Sequence, residues 1–182
     1  MVAQLDRRTV WQIDPKHTLV EFAVSYLTFT TVKGHFEGVS GTIRGEEADP
    51  AHASVEVEID AASLDTREGR RDTHLRSADF LDVERHPTLT FTSTRVEPID
   101  DRRLLVHGDL TIRGTTRAVV LDAELKGRGP NPEGLEVVGL AARTEIDRRD
   151  FGLTWNQAVE TGGVLVGNTV AIQLEIQAIR QD

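Results

Sequence analysis

The side chains best suited to chemistry are six histidines, and their spacing predicts no preformed metal site. No two of them lie two or four residues apart, the spacings that point two imidazoles the same way on a strand or a helix. A metal centre would therefore have to be assembled across strands. We expect no metal and no other cofactor. The histidines are His17, His35, His52, His74, His86 and His107.

The other groups that could support catalysis carry weak signals. Ser40 sits among glycines that lack the spacing of a nucleophile elbow. Asp79 and Asp82 could form an acid–base pair, although such acids more often cap a turn or pair with nearby arginines. The chain has no cysteine, and its glycines fit neither a phosphate loop nor a dinucleotide fingerprint. We therefore expect no catalytic activity.

The densest polar cluster is Arg70-Arg71-Asp72-Thr73-His74. In one interpretation, Arg71 and His74 receive a phosphate or another anionic head group. In the other, Asp72 anchors the segment through backbone hydrogen bonds and through ion pairs with its flanking arginines, Arg70, Arg71 and Arg76. We favour the structural role for Asp72.

Composition places these groups in an ordinary globular protein. The 182 residues are 38% hydrophobic and 28% charged, and this length predicts a single domain with one substantial core. A net charge of −9 argues against nucleic acid or an anionic membrane surface as the main partner. No apolar run suits a membrane span or a secretory leader. We expect a cytoplasmic protein, or a periplasmic or secreted one if a leader has been removed.

The elements that must position these residues are strands, because apolar and polar residues alternate over most of the chain. The alternation covers residues 20–26, 55–59, 104–112, 119–125 and 170–176, and turn residues separate the runs. It predicts an all-β fold, an antiparallel barrel of about eight strands, with a two-sheet sandwich as the alternative. Residues 61–87 lose the alternation and predict a short helical insertion over one end of the sheet.

The inner face of such a barrel is apolar. An eight-stranded barrel is wide enough either to be filled by side chains or to hold one small ligand, and composition does not decide between the two. The inward-facing candidates for a ligand cavity are Phe22, Val24, Phe36, Phe91, Leu110, Leu121 and Leu140.

Several motifs, in order, resemble the YceI-like family. The central one joins Ala62-Ser63-Leu64-Asp65-Thr66 to Arg71-Asp72-Thr73-His74-Leu75, and the matches run from Trp11 to Ile176. The matching segments are residues 14–22, 32–36, 41–43, 62–66, 71–81, 86–91, 108–117 and 148–152.

This resemblance implies a lipocalin-like barrel over residues 11–182, after an N-terminal extension over residues 1–10. It also implies that the barrel binds a polyisoprenoid or similar amphiphilic lipid without catalysis, often as a homodimer. We therefore expect non-catalytic binding, storage or transport of such a lipid. Two alternatives stay open. One is an enzyme acting on an isoprenoid or quinone-like substrate with His17, His35 or His74 as acid or base. The other is a stress-linked structural protein whose barrel is filled.

Overall fold

The computed structural model describes residues 8–160 and 162–182, which form eleven β-strands and one α-helix, α1 (Gly69–Arg76). The first seven residues of the expected N-terminal extension lie outside the described residues. The strands are β1 (Val10–Ile13), β2 (Leu19–Tyr26), β3 (Thr30–Phe36), β4 (Val39–Glu46), β5 (Asp49–Asp60), β6 (Leu64–Asp65), β7 (Thr88–Pro98), β8 (Arg103–Ile112), β9 (Thr115–Pro130), β10 (Glu136–Asp147) and β11 (Val166–Gln181).

The alternation in the sequence separates an inner from an outer face along the strands. In β11, Leu174 and Ala178 are buried, whereas Gln173 and Glu175 are exposed. A strand whose side chains alternate in this way buries one face and leaves the other to solvent.

The strands close into an eight-stranded antiparallel barrel. β11 pairs with β10 on one side and with both β2 and β1 on the other, while β1 pairs with β4. β1 and β2 together occupy one strand position, and β3 and β4 together occupy the next. The remaining positions are β5, β7, β8, β9, β10 and β11. The predicted barrel is confirmed, and the sandwich is wrong because the sheet closes on itself.

The insertion between β5 and β7 covers one end of this barrel. A 3₁₀ turn (Ala61–Ser63) leads to β6, which pairs with β3 at His35 and Phe36. α1 follows, and the Glu68 carboxylate accepts the backbone N–H of Arg71 at its N-terminus. Such an acidic cap satisfies an otherwise unpaired N–H group. Among the described residues, no helix is long and apolar enough to cross a membrane.

The end of the barrel opposite α1, which we call the packed end, is filled by side chains. Buried Trp11, Val138 and Ala178 pack there with Ile43, Leu125 and Leu140. The Arg128 guanidinium lies 5.2 Å from the centre of the Trp11 ring and bonds to Glu47 and Glu136. The hydrogen bond between Arg128 and Glu136 raises the pKa of Arg128 and lowers that of Glu136.

Candidate functional site

The half of the barrel under α1 is hollow. A cavity of about 640 Å³ lies there, within the range of about 300–1,000 Å³ usual for small-molecule sites. Its wall is largely apolar and is drawn from the inner faces of the strands. The apolar lining includes Val20, Phe22, Val24, Val32, Phe36, Val55, Val57, Ile59, Leu89, Phe91, Leu110, Ile112, Val119, Leu121, Ile146, Val170, Ile172, Leu174 and Ile176.

Six of the seven predicted wall residues line this cavity, namely Phe22, Val24, Phe36, Phe91, Leu110 and Leu121. Leu140 does not line it. Although Leu140 pairs with Ile176, a lining residue, its side chain packs with Trp11 in the packed end. Alternation along a strand predicts which face a residue occupies but not its height in the barrel, and this explains the error.

Two glycines make room for the largest side chains of the wall. A Cβ atom on Gly34 would lie 2.8 Å from Phe22 Cε1, and one on Gly108 would lie 2.7 Å from Phe91 Cε2. Both phenylalanine rings therefore rest on backbone at these positions. Larger residues would push the rings toward the centre of the barrel, so Gly34 and Gly108 help to keep the cavity open.

The cavity opens beside α1. Three of its lining residues are exposed: Tyr26 at the end of β2, Glu68 just before α1, and Arg70 within it. Arg71 and His74 are half-buried lining residues on the same helix. We call this opening the mouth. It joins an apolar interior to several charged groups, which is the arrangement that an amphiphilic molecule requires.

Asp72 is buried, but its partner is not an arginine. Its carboxylate accepts hydrogen bonds from the backbone N–H of Thr66, at 2.9 Å, and from the Thr66 hydroxyl. Arg71 donates to the same hydroxyl and to the Thr66 carbonyl, while Arg76 donates to the carbonyls of Ala62 and Leu64. The predicted ion pairs of Asp72 are therefore wrong, whereas its predicted backbone hydrogen bonding is confirmed. The neutral groups of Thr66 satisfy the carboxylate and tie α1 to the segment after β6.

His74 lies within an aromatic cluster at the mouth. Its ring packs edge-to-face on Phe80 and Trp155, at centroid distances of 5.1 and 4.5 Å. Its Nε2 atom lies 2.8 Å from an Asp79 carboxylate oxygen. Asp79 is thus engaged with His74, and the nearest basic group to Asp82 is Arg85, at 4.0 Å. The suggested pairing of the two aspartates with each other is not what the structure contains.

The other residues considered for catalysis are dispersed. His17 lies in a 3₁₀ turn between β1 and β2, where its Nδ1 atom is 2.8 Å from Asp14. This contact lowers the pKa of Asp14. His35 is on the outer side of β3, and Ser40 is exposed on β4 opposite Glu58. Only His74 of the three candidate acid–base histidines is at the cavity.

Arg148 is a residue of the cavity lining that sequence reasoning did not single out. It is 3% exposed. Nε donates to the Gly167 carbonyl, and Nη1 donates to the carbonyls of Leu153 and Trp155. Burial lowers the pKa of Arg148 from its usual value. Arg148 thus fastens the segment after β10 beside the mouth. The matching motif at residues 148–152 identified the position but not its burial.

A second group that the sequence did not reveal lies outside the cavity. His35, Glu37 and Asp65 place their ligand atoms within 4.8 Å of one another, and it is the one such group of three found among the described residues. His35 and Glu37 are 3.2 Å apart, and Asp65 is paired with His35 across β3 and β6. A nitrogen and two carboxylates could hold a divalent cation. The distance in sequence between β3 and β6 concealed the group.

The fold and its cavity define a closed antiparallel barrel with an internal apolar chamber, and comparison with known proteins gives the family. The family model for the YceI-like domain matches residues 11–178. The protein YceI of Escherichia coli O157:H7 is 40% identical over 138 residues, which are 76% of this chain and 72% of that protein. A UPF0312 protein of Vibrio cholerae serotype O1 is 39% identical over 143 residues, 78% of this chain and 76% of that protein. The chain belongs to the YceI-like family.

Solved structures agree with this assignment. The crystal structure of a Campylobacter jejuni YCEI protein has a TM-score of 0.74 and 31% identity, covering 87% of this chain and 90% of that chain. A polyisoprenoid binding domain from Saccharophagus degradans has a TM-score of 0.72, covering 94% of this chain and 98% of that one. At 13% sequence identity, this likeness is one of fold.

Proposed function

We propose that the protein binds the chain of an isoprenoid, or of a similar long amphiphilic lipid, in its cavity without chemical conversion. The observation that carries the proposal is the 640 Å³ apolar cavity with a charged mouth. The description of the Saccharophagus degradans domain as polyisoprenoid binding supports it at the level of fold. The same cavity disfavours the alternative of a structural protein whose barrel is filled by side chains.

The hydrocarbon chain of the lipid supplies most of the binding free energy, and the mouth holds its head group. Each methylene that moves from water into the cavity contributes about 0.8 kcal/mol, so a chain binds well without polar contacts. Arg71 and His74 stay our proposed head-group contacts. Arg71 uses Nε and Nη2 on Thr66, and its Nη1 has no hydrogen bond to any of the described residues. An anionic oxygen at the mouth would find this donor.

The proposal includes no catalytic step. Apart from Arg148, the charged side chains of the lining belong to α1 and its flanking segments, while the wall that surrounds the lipid chain is apolar apart from small polar groups such as Thr144. A homodimer and a cytoplasmic location stay predictions. Size-exclusion chromatography with light scattering measures the first, and cell fractionation measures the second.

Native mass spectrometry tests the proposal. Protein purified without detergent should carry an excess mass that organic solvent releases, and the extract should contain a long-chain amphiphile. The test variant is Leu121→Trp, which obstructs the cavity wall. Its matched control is Val120→Trp, which adds the same ring to the outer face of the barrel. Loss of the excess mass in the first variant alone, or its replacement by a lighter one, supports the proposal. Equal retention by both folded variants contradicts it.

A further inference from the structure

The turn between β2 and β3 carries an exposed apolar tip. Phe29 is 79% exposed, more than any other large apolar side chain among the described residues. Tyr26 and Val164 are also exposed. Burial of such side chains is favourable, and adjacent exposed ones often mark an interaction site.

The backbone holds this tip in a defined conformation. Leu27 and Thr28 adopt positive φ angles of 54° and 65°, which cost energy for residues with bulky or branched side chains. The Leu27 N–H donates to the Leu165 carbonyl at 2.9 Å, which joins the tip to the segment that bears Val164. The two apolar loops therefore lie side by side.

The tip is continuous with the cavity. Tyr26 precedes the turn and Leu165 follows Val164, and both line the cavity. An apolar surface thus runs from Phe29 on the outside, past these two residues, into the barrel. A lipid chain leaving the mouth at this side would meet the tip first.

The same end of the barrel carries cations that have no carboxylate partner. Arg67 and Arg70 are exposed, and their guanidinium groups make no ion pair or hydrogen bond with any residue that the structure describes. Among the described residues, the Arg71 guanidinium bonds to Thr66 oxygens alone. Glu68 is the exposed carboxylate among the described residues that line the mouth, so these three arginines give this part of the surface an excess of positive charge that complements anionic head groups.

From these observations we propose that the mouth docks on the surface of a lipid bilayer. Phe29, Tyr26 and Val164 enter the interfacial layer, and Arg67, Arg70 and Arg71 meet lipid phosphates. A ligand then passes between bilayer and cavity without crossing water. The proposal rests on the proposed function, because it gives the source of the bound lipid. The contact is weak and reversible, since few side chains enter the bilayer.

The test is flotation of the purified protein with phosphatidylcholine vesicles, with and without phosphatidylglycerol. Phe29→Ser should lower the partition coefficient onto vesicles by about tenfold, because burial of a phenylalanine side chain changes an equilibrium constant by about that factor. The matched control is Ile99→Ser, since Ile99 is an exposed apolar residue in the β7–β8 turn at the packed end. Arg67→Glu should weaken binding to the anionic vesicles alone, whereas Arg102→Glu at the packed end should not.

Uptake of a short water-soluble fluorescent fatty acid, measured without vesicles, separates this proposal from the proposed function. Phe29→Ser should take up this probe like the unmodified protein but acquire it more slowly from vesicles. If the unmodified protein takes up the probe yet does not float, the docking proposal is wrong and the cavity proposal stands. If Phe29→Ser instead abolishes a dimer while vesicle binding is absent, the tip joins two copies of the chain, which also overturns it. If the unmodified protein does not take up the probe, the cavity proposal is contradicted. The docking proposal is still decided by flotation, which is measured separately.

Discussion

Replacement of Leu121 by tryptophan should shorten the space available to a bound chain. Leu121 lines the cavity, whereas its cross-strand partner Val106 and the next inward residue, Ala123, do not. Leu121 therefore stands near the floor, where the cavity meets the packed end. An indole that displaces two or three methylenes, at about 0.8 kcal/mol each, removes about 1.6–2.4 kcal/mol of binding free energy. This corresponds to roughly a 15- to 60-fold increase in Kd.

The assay is titration of the protein with a series of isoprenoid alcohols of increasing chain length. Long chains should lose affinity in Leu121→Trp, while chains too short to reach the floor should bind as before. Val120→Trp adds the same ring to the exposed neighbouring position and serves as the control. A thermal melt confirms folding, because overpacking costs about 1–3 kcal/mol. A loss of affinity that is independent of chain length would refute the placement of the chain end at this floor.

Three further changes have defined outcomes. Asp72→Ala leaves the Thr66 N–H and hydroxyl without their acceptor, so chemical denaturation should show a loss of about 1–3 kcal/mol; an unchanged midpoint with lost binding would instead make the cluster a head-group site. Gly108→Ala would place a Cβ 2.6 Å from the Thr92 carbonyl oxygen and against the Phe91 ring, so it should lower the melting temperature through the backbone contact and the lipid-to-protein ratio through the displaced ring; normal loading would contradict this. The pKa of Asp147 is lowered to about 2 by hydrogen bonds from Arg149, so this carboxylate stabilises the fold above its unfolded pKa of about 3.9 and the contribution is lost as pH falls toward 2. Asp147→Asn should flatten that part of the curve of stability against pH, and an unchanged curve would contradict the pairing.

The sequence predicted the barrel because its signal is local. A strand such as β11 shows its inner face through alternation, and the breakdown of that pattern after Asp60 located the helical insertion. Six wall residues followed from the same rule. Leu140 was assigned to the wall incorrectly, because its position along the barrel axis depends on the tilt and register of several strands.

The partners of the polar side chains were predicted less well, because the fold brings them together from segments that are distant in sequence. Charge alone suggested arginine partners for Asp72, yet the fold offers it the neutral groups of Thr66. Arg148 resembles any surface arginine in sequence, and its burial depends on carbonyls that β11 and the preceding segment supply. The His35 group exists only because β6 pairs with β3.

The expectation that no metal is needed for binding stays a prediction, and the His35 group gives it a specific test. Lipid retention should be the same before and after dialysis against a chelator, because the group lies outside the cavity. A ligand that leaves when the metal is removed would contradict it.

A crystal structure of the protein purified with its own lipid tests the central claim most directly. We predict continuous density for one chain inside the barrel, running past Phe91 and Phe22, with its polar end at the mouth near Arg71 and the other end above Trp11. An empty or water-filled cavity in protein that carries lipid elsewhere on its surface would contradict the account.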